Sequence, residues 1–200
     1  PPGGTVGVFA PSGPYENRSD VIRPVEWWES RGYRVKLTPS VWAREDYVAG
    51  PPEQRVADMH DLFRDPEVDV IHCLWGGVGA IEMLPLLDYE LIADHPKALM
   101  GFSDITNLHC ALLEKSGLAT FHGPGFGSMG AANREAFTWD SVMHSFTSGG
   151  VGPVPRNPSD EFIHVIKGGK VTAPLVGGNF YTINHLTATP WELNLDGVIL

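Results

Sequence analysis

The feature that most constrains this sequence is the change from a strand pattern to a helix pattern around Gly101–Asp104. Ala98–Phe102 is a short apolar run without a polar break, which is typical of a buried strand. Apolar residues then recur at helical spacing, at Ile105, Leu108, Leu112 and Leu113. A serine on such a tight turn is raised above the sheet edge, and the next backbone N–H points where an oxyanion would form. The pattern therefore predicts an α/β fold with Ser103 as a candidate nucleophile.

A simpler interpretation of the same junction is a helix cap. Ser103 or Asp104 would then only satisfy free N–H groups at the start of the helix, as serine and aspartate commonly do. The sequence here is also G-F-S-D-I, whereas the usual nucleophile turn is G-x-S-x-G. From this stretch alone both interpretations stay open.

Strand-like and helix-like segments alternate with short turns through the first 125 residues. The predicted strands are Thr5–Ala10, Tyr33–Leu37, Val68–Trp75, Ala98–Phe102 and Ala119–His122. This alternation predicts a parallel, flavodoxin-like sheet. Ligands of such sheets bind at the carboxyl ends of the strands, where the loops 11–14, 76–79 and 101–104 would meet.

The chain changes character after the fifth predicted strand. A helix is expected within Asn133–Ser148, followed by the Gly/Pro-rich stretch Gly149–Ser159. Strands are expected at Phe162–Ile166 and Val171–Val176. We therefore predict three parts: an N-terminal α/β domain at 1–130, a helix and linker at 131–161, and the incomplete beginning of a mostly β-containing C-terminal domain at 162–200.

Charge and composition exclude several classes of partner. Fourteen Lys and Arg residues face 24 Asp and Glu residues, a formal net charge of −10, so nucleic-acid binding is not expected. No apolar run is long enough to span a membrane. Cys73 and Cys110 both lie in apolar contexts, which favours buried thiols and a cytoplasmic location.

The residues alone supply no convincing base for a serine nucleophile. His122 ends a predicted strand and could line the site, but a structural role is equally compatible with that position. His109 follows Ser103 by about two helical turns, too far to reach it. Gly76-Gly77-Val78-Gly79 lets backbone N–H groups approach a ligand, although a tight turn or a nucleotide loop would look the same. No residue group has metal-ligand spacing, and neither a metal nor another cofactor is expected.

Five ordered stretches resemble the LD-carboxypeptidase family, peptidase family S66, which includes muramoyltetrapeptide carboxypeptidases and microcin C self-immunity peptidases. The matching stretches are residues 6–14 (VGVFAPSGP), 57–92, 95–109 (HPKALMGFSDITNLH), 117–124 (GLATFHGP) and 174–190 (PLVGGNFYTINHLTATP). The resemblance covers essentially the whole chain.

The resemblance implies a role for several residues. Ser103 corresponds to the family's nucleophile, and the backbone N–H groups of Gly76, Gly77 and Asp104 to its oxyanion hole. The family's triad is completed by a glutamate and a histidine of the C-terminal domain, which would follow Leu200, so neither is expected in this chain. Three places depart from the family pattern: Val78 replaces a common tyrosine, Trp75 replaces a common arginine, and Ala188-Thr189-Pro190 stands where the family has a G-T-P-like sequence.

The implied activity is that of a cytoplasmic serine carboxypeptidase. Its substrate would be a small peptide, a murein tetrapeptide cleaved between its L-centre and D-alanine during cell-wall recycling. An alternative is a microcin-immunity-type peptidase acting on a peptidyl or aminoacyl nucleotide, and an inactive ligand-binding α/β module is the alternative from another class. Residues 1–200 alone are expected to be inactive, and homodimer formation stays open.

Overall fold

A five-stranded parallel sheet forms the centre of the molecule. The structure is a computed structural model that describes residues 3–130, 136–147 and 165–200. The strands are β1 (Thr5–Phe9), β2 (Arg34–Leu37), β3 (Val70–Cys73), β4 (Ala98–Gly101) and β5 (Phe121–His122). They lie in the order β2-β1-β3-β4-β5, which is the flavodoxin-like order. The predicted parallel α/β sheet is confirmed.

Helices connect the strands and cover both faces of the sheet. They are α1 (Ser19–Glu29), α2 (Pro52–Arg64), α3 (Ala80–Met83), α4 (Tyr89–Asp94), α5 (Thr106–Ser116), α6 (Ala136–Thr147) and α7 (Phe180–His185). Short 3-10 turns occupy Pro39–Trp42, Leu84–Leu86, Ser103–Ile105 and Phe126–Gly130. None of the helices in the described ranges is both long and apolar enough to cross a membrane.

Two apolar cores form, and they draw on different helices. One gathers buried side chains of α2, α4 and α5, such as Met59, Ile92 and Leu108. The other is built around Trp28 of α1 and includes Val142 of α6. Trp139 of α6 also stacks on Trp27, with ring centroids 4.2 Å apart, so α6 packs directly against α1.

The strand register brings the ends of three strands to one edge of the sheet. Phe9 of β1 pairs with Cys73 of β3, and His72 pairs with Met100 of β4. Because all strands are parallel, the loops after β1, β3 and β4 leave this edge side by side. The three loops predicted to meet there do so.

Residues 165–200 contain less regular structure than the sequence predicts. The expected strand Val171–Val176 is reduced to one parallel β-bridge between Leu175 and Ile199. The bridge is supported by backbone hydrogen bonds from Val176 to Ile199 (2.9 Å) and from Ile199 to Pro174 (2.8 Å). Most of the other predicted strand, Phe162–Ile166, and the whole of the Gly/Pro-rich stretch 149–159 lie outside the described residues.

Candidate active site

Ser103 lies on a sharp turn between β4 and α5. Phe102 is extended, and Ser103 then adopts a left-handed conformation with a φ of 61°, before a 3-10 turn leads into α5. A non-glycine residue in this region is strained by about 1–3 kcal/mol, and such strain persists only where the surroundings impose it. The predicted strand-to-helix turn is therefore present, and it presents Ser103 at the edge where the loops meet.

The residue before the turn must be glycine. A Cβ on Gly101 would lie 2.7 Å from the Ile105 Cγ2 atom and 3.0 Å from the Cys73 Cβ atom. Ile105 begins the buried face of the following helix, so this close contact holds the end of the strand against the start of the helix. The tight turn is thus a consequence of packing on both sides of Ser103.

The loop of residues Gly76–Gly79, hereafter the glycine loop, lies directly against Ser103. A Cβ on Gly76 would be 2.9 Å from the Ser103 Cβ atom and 3.3 Å from Oγ. Gly77 and Gly79 have φ values of 127° and 108°, which only glycine adopts without strain. The close approach of Ser103 to Gly76 and the positive φ values of Gly77 and Gly79 explain why glycines occupy these three positions.

Hydrogen bonding to the loop after β1 sets the orientation of the Gly76–Gly77 peptide. The Gly13 N–H donates to the Gly76 carbonyl at 3.0 Å. In a trans peptide the carbonyl and the following N–H point in opposite directions. The Gly77 N–H therefore points away from Gly13, and it donates to no other group within the parts of the chain that the structure describes.

The Asp104 carboxylate joins three segments around the turn. Its Oδ2 atom accepts from the Ser12 hydroxyl at 2.6 Å and from the Ala80 N–H at 2.9 Å. Its Oδ1 atom accepts from the Asn107 side chain at 2.8 Å. The family resemblance implied a role for the Asp104 backbone N–H, and the helix-cap interpretation gave its side chain a local role. The bonds from Ser12 and Ala80 to its carboxylate are additional to both.

Arg55 of α2 is a residue of the site that the sequence analysis missed. It is completely buried, and its guanidinium donates to three backbone carbonyls, those of Pro11 (2.7 Å), Gly79 (2.9 Å) and Gly50 (3.0 Å). A fourth bond, 2.6 Å long, reaches the half-exposed carboxylate of Glu82. Arg55 thus binds the loop after β1 and the glycine loop at once.

The order of these elements agrees with a known protein family. A profile of the LD-carboxypeptidase N-terminal domain of peptidase family S66 matches residues 6–123, which include the glycine loop and the turn at Ser103. This chain belongs to the LD-carboxypeptidase family. The resemblance inferred from the sequence motifs is confirmed.

Individual relatives of this LD-carboxypeptidase chain carry two kinds of name. A probable murein peptide carboxypeptidase of Bacillus subtilis (strain 168) is 34% identical over 99% of the chain and 61% of its own length. An MccF-like protein from Bacillus anthracis str. Ames has a TM-score of 0.87 and 28% identity, covering 100% of the chain and 67% of that structure. A muramoyltetrapeptide carboxypeptidase from Oxalobacter formigenes has a TM-score of 0.78 and 26% identity, with 95% and 62% coverage. The chain spans about three fifths of the length of the first curated relatives it matches.

His109 has a structural role in this LD-carboxypeptidase chain. Its two ring nitrogens bond the Gly101 carbonyl (3.0 Å) and the Thr120 hydroxyl (2.8 Å). Burial lowers its pKa to about 4, so the ring is neutral at pH 7. With both nitrogens in use, His109 supports the end of β4, in agreement with its exclusion as a base.

His122 lies at the end of β5, beside His109. Its ring centroid lies 5.8 Å from that of His109. Both histidines line a cavity of about 100 Å³ that also touches residues 175–177. Burial lowers the pKa of His122. Across the described ranges 3–130, 136–147 and 165–200, no hydrogen bond joins Ser103 to any histidine, and no cluster of three or more His, Cys, Asp or Glu side chains could hold a metal ion.

Two residues that depart from the pattern implied by the family resemblance lie beside and within the glycine loop: Trp75 precedes it, and Val78 is part of it. Trp75 packs against the segment after β5, where a Cβ on Gly127 would lie 2.4 Å from its indole ring. Val78 lies within the loop, and its side chain is half exposed. Trp75 therefore affects the packing beside the site, whereas Val78 affects the surface that a ligand would contact.

Proposed function

We propose that the full-length protein is a serine carboxypeptidase that cleaves murein tetrapeptides between the L-centre and D-alanine. The observation that carries the proposal is the strained Ser103 on its turn, in contact with Gly76. The name of the 34% identical Bacillus subtilis relative supports a murein peptide as the substrate class. Cell-wall recycling in the cytoplasm is the corresponding role, and the two buried free thiols, Cys73 and Cys110, are compatible with that location.

In the proposed mechanism, Ser103 Oγ attacks the carbonyl carbon of the scissile peptide bond. A histidine accepts the serine proton and then delivers it to the departing D-alanine amine, and a glutamate orients that histidine. Water then hydrolyses the acyl-enzyme: the histidine accepts a proton from the water and returns it to Ser103 Oγ. We propose that both triad partners come from outside these 200 residues, as the family resemblance implies.

The negative charge that develops on the carbonyl oxygen would be stabilised by backbone N–H groups. We assign this role to Gly76, Gly77 and Asp104. The orientation of the Gly76–Gly77 peptide and the exposure of Gly77 support the assignment. Preorganised donors of this kind are worth about 10²–10³ in kcat each. The mechanism requires no cofactor.

A second candidate is a microcin-immunity-type peptidase that acts on a peptidyl or aminoacyl nucleotide. The similarity to the MccF-like structure from Bacillus anthracis supports it, since MccF is a microcin C7 self-immunity protein. Val78, half exposed beside Gly77, gives the loop a different contact surface from the tyrosine expected by resemblance. The same Ser103 chemistry would apply to both substrates.

One assay separates these functions from an inactive binding module. The full-length protein is incubated with a murein tetrapeptide and, separately, with an aminoacyl sulfamoyl adenosine, and release of D-alanine from the first and of the free amino acid from the second is measured. We expect D-alanine release that is lost in Ser103→Ala. Cleavage of the nucleotide substrate alone would support the second candidate, and binding without cleavage would support the inactive module. Activity of residues 1–200 alone would contradict the placement of the triad partners.

A further inference from the structure

We propose that Arg55 and the carboxylate of Asp104 are positioning residues that hold the oxyanion-binding backbone in place. The inference rests on the proposed function and extends it to two side chains that do not touch the reacting atoms. It starts from one peptide group, the one that joins Gly79 to Ala80 at the end of the glycine loop.

The Gly79–Ala80 peptide is held at both ends by opposite charges. Its carbonyl accepts from Arg55 Nη1 at 2.9 Å, and its N–H donates to Asp104 Oδ2 at 2.9 Å. A peptide group is planar, with a dipole that runs from the carbonyl oxygen to the N–H. A cation at the oxygen and an anion at the hydrogen therefore both stabilise a single orientation of that plane.

The same two side chains also hold the loop after β1. Arg55 Nη1 donates to the Pro11 carbonyl at 2.7 Å, and the Ser12 hydroxyl donates to Asp104 Oδ2 at 2.6 Å. The next residue, Gly13, sets the orientation of the Gly76–Gly77 peptide through its own hydrogen bond. Fixing the loop after β1 consequently fixes the start of the glycine loop as well.

The glycine loop needs such support because its own residues provide little. Gly77 is exposed and has a positive φ, and a glycine backbone samples many conformations when it is not restrained. An oxyanion donor displaced by about 1 Å loses most of its effect on the rate. Hydrogen bonds fix the Gly76 carbonyl at one end of the loop and the Gly79–Ala80 peptide at the other. These bonds restrain the exposed Gly77 N–H indirectly.

The position of the charges argues against a purely stabilising ion pair. The Arg55 guanidinium is fully buried, whereas the side chain of its partner Glu82 is 47% exposed. An ion pair needs only the Arg55–Glu82 contact, yet three of the four hydrogen bonds of Arg55 go to loop carbonyls. Arginine suits this task because its planar fork presents several donors in a fixed geometry.

The test compares matched variants of the full-length protein. Asp104→Ala keeps the backbone N–H of residue 104 but removes the carboxylate. Asp104→Asn keeps an oxygen that can accept from Ser12 and Ala80. Arg55→Met removes the donors, and Glu82→Gln removes only the partner charge and serves as the control. Thermal unfolding gives the folded fraction of each variant, and kcat and KM are measured at a temperature where that variant is folded.

We expect Asp104→Ala and Arg55→Met to lower kcat about 100-fold per folded molecule with KM within twofold of wild type, because the donors act on the transition state. Asp104→Asn is expected to retain at least ten times the kcat of Asp104→Ala, and Glu82→Gln to match wild type. A kcat for Asp104→Ala within threefold of wild type would overturn the inference, as would equal losses in Asp104→Ala and Asp104→Asn. If Arg55→Met does not fold, the comparison of Asp104→Ala with Asp104→Asn is sufficient to test the inference.

A second readout separates this inference from the proposed function. A fluorophosphonate reacts with an activated serine and places an oxygen in the oxyanion hole, and it needs no peptide specificity. Ser103-dependent labelling that slows in Asp104→Ala but not in Glu82→Gln supports the inference even if the murein peptide is not the substrate. Equal labelling rates in these two variants would contradict it.

Discussion

The interactions within residues 3–130 differ in kind from those within residues 165–200. In the first region, polar side chains join the loops at the sheet edge, and the two central ones are the buried Arg55 and the partly buried Asp104. In the second region, Leu175 and Tyr181 are more than 70% exposed, and one β-bridge is the regular pairing among its described residues. The contrast indicates that cross-links between loops hold the candidate site of the first region in a fixed geometry.

The second region nevertheless contacts the first close to Ser103. The Asn179 N–H donates to the Thr106 hydroxyl at 2.9 Å, and a Cβ on Gly178 would lie 2.6 Å from that hydroxyl oxygen. Thr106 is completely buried and follows Ser103 by three residues. The start of α5 is therefore shared between the turn that carries Ser103 and residues 178–179 of the second region.

The largest effect is expected from removing the proposed nucleophile in the rigid region. Ser103→Ala should lower kcat of the full-length enzyme by about 10⁵–10⁶, as loss of a triad serine does elsewhere. The melting temperature should stay within a few degrees of wild type, since the Ser103 hydroxyl forms no hydrogen bond with any of residues 3–130, 136–147 and 165–200. Activity above a tenth of wild type would show that the chemistry depends on another residue.

A second, smaller effect should follow from crowding the glycine loop. In Gly76→Ala the new Cβ would lie 2.9 Å from the Ser103 Cβ atom, so either the loop or the serine must move. We expect kcat to fall about 100-fold. Gly168→Ala in the second region is the matched control, because no atom lies within 4 Å of its Cβ position. Similar kinetics for the two variants would remove the distinction between a rigid and an open region.

Acid should destabilise the first region through two buried histidines. Burial lowers the pKa values of His72 and His109 to about 4, below the ordinary value near 6.5, so the folded state favours their neutral forms. Their contribution to stability is complete above pH 6.5 and is lost as the pH falls toward 4. Chemical unfolding at pH 7.5 and pH 5 should therefore show a loss of roughly 2–4 kcal/mol for the two groups together.

The matched variant for this pH effect is His109→Gln. A glutamine can still donate to the Gly101 carbonyl but does not titrate, so the loss of stability between pH 7.5 and 5 should shrink. An unchanged loss would mean that His109 is not a neutral buried group in the folded protein.

The smallest effect concerns the contact between the two regions. Thr106→Val removes the acceptor of the Asn179 N–H and should destabilise the protein by about 1–2 kcal/mol. Limited proteolysis should cut within residues 165–200 sooner than in wild type, whereas the hydroxyl-retaining Thr106→Ser should behave as wild type. Unchanged proteolysis in Thr106→Val would show that this hydrogen bond does not hold the second region.

Local patterns were sufficient to predict most of the first region. The apolar run before Gly101 and the helical spacing after it located the turn at Ser103, and alternating segments predicted the parallel sheet. These signals are local because a buried strand and an amphipathic helix each reveal their period within a few residues.

Contacts between distant residues were not predictable in the same way. Arg55 bonds groups that lie 24 and 44 residues away in sequence. The one available signal was its spacing with Met59 and Leu62, which places a charge on the apolar face of α2. The strand expected at Val171–Val176 fails for a related reason, because a strand forms only where a partner lies beside it, and Leu175 pairs with Ile199 at a single bridge.

The central claim, that Ser103 is the nucleophile, is tested most directly by covalent labelling of the full-length protein. A fluorophosphonate probe is added, and the modified residue is located by peptide mass spectrometry. We expect one adduct per chain, on Ser103, that is absent in Ser103→Ala and after denaturation. A stoichiometric adduct on another residue, or no adduct on an enzyme that releases D-alanine, would contradict it.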